Sequence, residues 1–110
     1  MAVQMDNERD NEGYLLDPDQ WSVQLAETIA AEENIELQDD HWSVINFVRD
    51  YYAENYSVPE ARYALKHMKQ TLDDDKATRK YLYYLFPYGY GQQACKIAGM
   101  RKPLKLMLDV

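Results

Sequence analysis

Cys95 is the only cysteine in the 110-residue chain, and three cations, Lys96, Arg101 and Lys102, follow it closely. A thiolate attacks sulfur or carbon far better than a thiol does, and nearby positive charge favours the ionised form. The same residue stands among Ala94, Ile97 and Ala98. Free cysteines are often buried and inert, so the sequence leaves a reactive and a buried thiol both open. Other chemistry has less to stand on. His41 and His67 are 26 positions apart and form no His-x-x-x-His pair. One cysteine cannot build a thiolate cage, so neither a metal nor any other cofactor is expected. Gly89 and Gly91 lack the Lys-Ser/Thr and the preceding strand of a phosphate loop. The Asp39-Asp40 and Asp73-Asp74-Asp75 runs fall at expected helix boundaries, where capping and solvation account for them.

The elements that must position Cys95 read as helices. Asp17, Pro18 and Gln20 have the order of an N-cap, a first-turn proline and a capping-box partner. Trp21, Leu25 and Ile29 then form an apolar stripe ending near Asn34. A second helix is expected from Asp39 or Asp40, their carboxylates capping it, with Trp42, Ile45, Val48 and Tyr52 on its apolar face. His41 is expected at its start or in an aromatic cluster. Ser57-Val58-Pro59-Glu60 reads as a capping box for a third helix, and Lys76 to Phe86 as a fourth, stopped by Pro87. Tyr88-Gly89-Tyr90-Gly91 reads as a loop, followed by a short fifth helix from Gln92 to Ala98 with Gly99 as its left-handed cap. The fold class is mainly α: a small orthogonal bundle of about five helices, with a short hairpin near Gly13-Tyr14-Leu15-Leu16. The expected organisation is one domain over 1–110, with 1–12 disordered and 100–110 a C-terminal arm.

Composition sets further bounds. With 46% apolar residues the chain is neither disordered nor a membrane span, since no run nears the roughly 18 apolar residues that spanning requires. Met1 to Asp10 lacks the basic-then-apolar order of a secretory signal, so a cytoplasmic location is expected. Residues 1–75 hold five basic and eighteen acidic side chains, whereas 76–110 hold seven basic and one acidic. That asymmetry suits either an acidic partner facing the C-terminal third or simple solvation. Lys96, Arg101, Lys102 and Lys105 are the candidate docking patch. Ten tyrosines are more than such a core readily buries, so they either fill it or line a contact surface.

Gly13-Tyr14-Leu15, Trp21, His41-Trp42-x-x-Ile45-x-Phe47-Val48-Arg49-Asp50-Tyr51-Tyr52, Pro59-x-x-Arg62, Tyr81-Leu82-Tyr83-x-Leu85-Phe86-Pro87 and Lys96-Ile97-Ala98-Gly99 together resemble the DsrC/TusE family. The resemblance runs from about Gly13 to Lys105. It implies a small helical protein with an N-terminal hairpin and a mobile C-terminal arm, passing sulfur between partners as a protein persulfide. Its implied settings are tRNA thiolation and dissimilatory sulfite reductase, and its implied partners are sulfur-relay or sulfite-reductase proteins. In that family one cysteine matches Cys95 and the usual carrier stands eleven residues later, where this chain has Leu106. Arg101 and the Tyr88-Gly89-Tyr90-Gly91 run also depart from the family pattern.

Leu104, Leu106, Leu108 and Val110 alternate with Lys105, Met107 and Asp109, as in an extended segment with one apolar side. Each such side chain gains roughly 1.5–3 kcal/mol on burial before entropy is counted, which favours a docked arm over a solvated one. Three functions are therefore carried forward. The first is a sulfur carrier with Cys95 as its only thiol, and the second a non-catalytic docking or regulatory paralogue. The third is a helix-turn-helix-like nucleic-acid binder, disfavoured by the net charge of -7.

Overall fold

The computed structural model describes residues 8–101. The chain is mainly helical: α1 Val23–Glu32, α2 Asp39–Asn55, α3 Ala61–Thr71, α4 Arg79–Leu85 and a final turn, α5, Cys95–Ile97. Short 3₁₀ turns cover Pro18–Gln20 and Asp74–Lys76, and a five-residue π-turn, Tyr90–Ala94, leads into α5. No helix among the described residues is long and apolar enough to cross a membrane. The expected arm, with its apolar Leu104, Leu106, Leu108 and Val110, lies outside the described residues from position 102 onward, as do positions 1–7.

The N-terminal hairpin is a single antiparallel bridge, Arg9 to Leu15. Its turn is held by Asp10, whose Oδ1 accepts from the amides of Glu12 and Tyr14, both at 2.9 Å. A forked pair from Arg9 to Glu32, 2.9 Å on each arm, fastens it to the end of α1. Residues 8–12 therefore belong to the hairpin.

Several helix boundaries differ from the sequence reading. Asp17 caps only the 3₁₀ turn, accepting from Asp19 N at 3.0 Å, and Trp21 is extended. The α-helix starts two residues later, where Ser22 Oγ accepts from Leu25 N at 3.1 Å. The break frees the Trp21 indole to donate from Nε1 to Ile97 O at 2.8 Å, a bond that a helical Trp21 would forgo. At α2 the N-cap is Gln38, not an aspartate, and its amide donates to His41 Nδ1 at 3.0 Å. Asp39 and Asp40 sit inside the first turn, where their charge still favours the helix dipole.

The expected Ser57–Glu60 capping box lies ahead of the helix, since α3 starts at Ala61 and is capped at Glu60 without a side-chain bond. Helix α4 begins at Arg79 rather than Lys76, since Thr78 Oγ1 takes the amide of Tyr81 at 3.1 Å. The expected Tyr88–Gly91 loop is half helical, with Tyr90 and Gly91 buried in the π-turn. His41 stands as expected at a helix start, edge-on to Phe86 with ring centroids 5.3 Å apart.

The core joins Ile29 of α1, Ile45 and Val48 of α2, Met68 of α3, Phe86 and Ile97. Its tightest fit is at Gly99, which has φ +79 and whose added Cβ would lie 2.6 Å from Trp21 Cδ1. Gly89 has φ +108 but open space around it. Strain in a positive-φ region costs about 1–3 kcal/mol for a non-glycine residue. Gly89→Ala should lose about that much in urea denaturation, and Gly99→Ala clearly more, because the clash adds to the strain. Equal losses would show that the ring yields freely.

Candidate functional site

The segment from Gly89 to Gly99 is held from four sides. Tyr90 donates its hydroxyl to Pro59 O at 2.7 Å, and Tyr14 donates to Gly91 O at 3.2 Å. Gln93, fully buried, accepts from Tyr88 N at 2.9 Å and donates through Nε2 to Glu33 Oε1 at 3.0 Å. Lys96 Nζ donates to the other Glu33 oxygen at 3.0 Å and lies 5.1 Å over the Tyr14 ring. Burial opposes ionisation of Glu33, but the bonds from Gln93 and Lys96 outweigh it and hold the carboxyl below its ordinary range.

The end of α5 is closed as fully. Met100 N donates to Cys95 O at 2.9 Å and Gly99 N to Lys96 O at 3.0 Å, the paired bonds of a Schellman cap. Trp21 supplies Ile97 O, and Arg49 Nη1 supplies Ala98 O at 2.8 Å. The Arg49 guanidinium also stacks 4.2 Å from the Trp21 ring centroid. Each of the four terminal carbonyls thus has a donor, which a buried helix end requires.

Cys95 is fully buried within this frame. Burial pushes its thiol from 9.0 up to about 12, with hydrogen-bond contact to Tyr90 pulling the other way. The neighbouring positive charge does not reverse this, because Lys96 is paired with Glu33. A cleft of about 310 Å³ beside the helix is lined by Glu12, Tyr14, Glu33, Gln92 and Lys96, and Cys95 does not line it. Of the candidate docking patch, Arg101 is exposed, while Lys102 and Lys105 lie outside the described residues. Sequence reasoning misses the roles of Glu33 and Gln93; a glutamine within an apolar helix is the one available signal. His41 is neutral in this setting: Nδ1 accepts from Gln38, Nε2 bonds Leu85 O at 2.9 Å, and burial lowers its pKa. No group of three or more metal-ligating side chains occurs among the described residues.

The family model described as DsrC like protein matches residues 3–107. Sulfurtransferase TusE of Salmonella typhimurium is 48% identical over 96 residues, covering 87% of this chain and 88% of that one. The oxidized gamma-subunit of the dissimilatory sulfite reductase (DsrC) from Archaeoglobus fulgidus superposes with a TM-score of 0.80 at 36% identity, covering 87% and 88% of the two chains. Allochromatium vinosum DsrC gives 0.78 at 43% identity, covering 86% and 85%.

A thiol at about 12 is ionised to roughly one part in ten thousand at pH 8, against about a tenth for one at 9.0. Iodoacetamide labelling followed by mass spectrometry should therefore be slow in the native state and fast in denaturant. The stability that Cys95 contributes is whole below about pH 9 and is lost as pH rises toward about 12, because the unfolded thiol ionises first. Cys95→Ala should flatten that part of the stability profile; an unchanged profile would count against a buried, neutral thiol.

Proposed function

The chain belongs to the DsrC-like family, and on that premise we propose that it is a cytoplasmic protein of sulfur metabolism that docks on sulfur-relay or sulfite-reductase partners. The observation that carries this reading is the family match over residues 3–107, with the locked end of α5 as the rigid frame that leads to exposed Arg101. Any sulfur carried by the chain itself must sit on Cys95, its only thiol. In that step the Cys95 thiolate would attack the outer sulfur of a donor persulfide, R–S–SH. The new S–S bond forms on Cys95 as the donor's S–S bond breaks and its thiolate leaves. Such loading requires the packing around Cys95 to open, since the residue is fully buried.

That burial favours a second reading, in which the protein docks without carrying sulfur. Leu106, where the family resemblance places the usual carrier, is consistent with it. The nucleic-acid reading draws no support from the relatives. The two remaining readings separate by intact-protein mass after incubation with a persulfide donor: carriage adds about 32 Da per sulfur to the wild type and nothing to Cys95→Ser. Without that gain, capture of sulfur-relay or sulfite-reductase subunits by both forms establishes docking alone. Capture by neither, with no mass gain, rejects both readings.

A further inference from the structure

Burying Leu82 and Leu85 turns the remaining face of α4 outward, and that face is aromatic. Tyr81 and Tyr84 stack with ring centroids 5.6 Å apart and 18° between planes, and Tyr84 is 73% exposed. Tyr84 stands between two clefts of about 530 and 380 Å³. The larger is lined by the carboxylates of Glu36 and Asp40 and by neutral His41, with no lysine or arginine in its wall. Among the described residues no ion pair engages Glu36.

The chain already places its own cations on such couples. Lys76 Nζ lies 5.8 Å over the Tyr81 ring and 3.9 Å from Asp40 Oδ2. Arg62 pairs with Glu60 at 2.9 Å while its guanidinium lies 5.0 Å over Tyr63. We infer that the Tyr84–Glu36 cleft receives an arginine side chain from an exposed segment of a protein partner. Arginine fits better than lysine because its planar guanidinium can stack on a ring and bond a carboxylate at once. The net charge of -7 favours approach of a basic segment, and Glu36 and Asp40 give the cleft the carboxylates to receive it. The inference is independent of sulfur carriage by Cys95.

The test titrates the ¹⁵N-labelled full chain with acetyl-Gly-Arg-Gly-amide and with its citrulline counterpart, followed by NMR. The arginine peptide should give saturable shifts centred on Glu36, Gln38 and Tyr84, and the citrulline peptide should not. Tyr84→Ala and Glu36→Gln should each weaken binding roughly two- to fivefold, with the amide spectrum elsewhere unchanged. Absent or scattered shifts, equal binding of citrulline, or full affinity in both variants would overturn it. The result stands apart from the mass measurement at Cys95.

Discussion

A buried helix end must find donors for its last carbonyls, and in this protein that requirement organises the molecule. Two of the four donors at α5 come from its own C-cap and two from side chains far away in sequence. Trp21 can reach only because the chain breaks between the 3₁₀ turn and α1. Arg49 can reach only because α2 runs past the same point, and its burial lowers its pKa against the pull of Asp19 and Asp50. Three elements thus meet at one residue pair, and Gly99 lacks the Cβ that would keep the indole off the backbone.

The same packing decides the character of Cys95. A thiol with cations near it in sequence would be expected to ionise, yet the nearest cation is held by Glu33 and the sulfur has no contact with water. Desolvation outweighs proximity here because the positive charge is already neutralised before it can act on the thiol. The relation to sulfur chemistry therefore rests on family and on docking, with carriage dependent on a rearranged state.

Much of this was legible in the sequence. The helix periodicity, the Gly99 cap and the position of His41 follow from local pattern, but which tyrosines are buried does not: Tyr14 and Tyr90 are buried with bonded hydroxyls, whereas Tyr56, Tyr84 and Tyr88 are exposed. Helix α2 starts at Asp39 as its sequence suggests, though under Gln38 as cap, whereas α1, α3 and α4 start later than local pattern suggests. A tertiary contact accounts for the first of these late starts, since the Ile97 carbonyl holds Trp21 ahead of α1, while at α4 the local Thr78 cap takes precedence over the acidic run. The π-turn was illegible because its reason is Gln93, whose partners lie at Glu33 and Tyr88. Only the folded chain brings Glu33 within reach.

The bonds that seat α5 join residues far apart in the chain: Trp21 and Ile97 are 76 positions apart, and Tyr14 and Gly91 are 77. Contacts of such separation are slow to form, because the loop must close before they stabilise anything. Until they form, the Cys95 thiol is open to water and at its ordinary acidity, and it is sealed only when Tyr14 and Trp21 meet the segment from Gly91 to Ile97. Its period of greatest reactivity falls before the fold is complete.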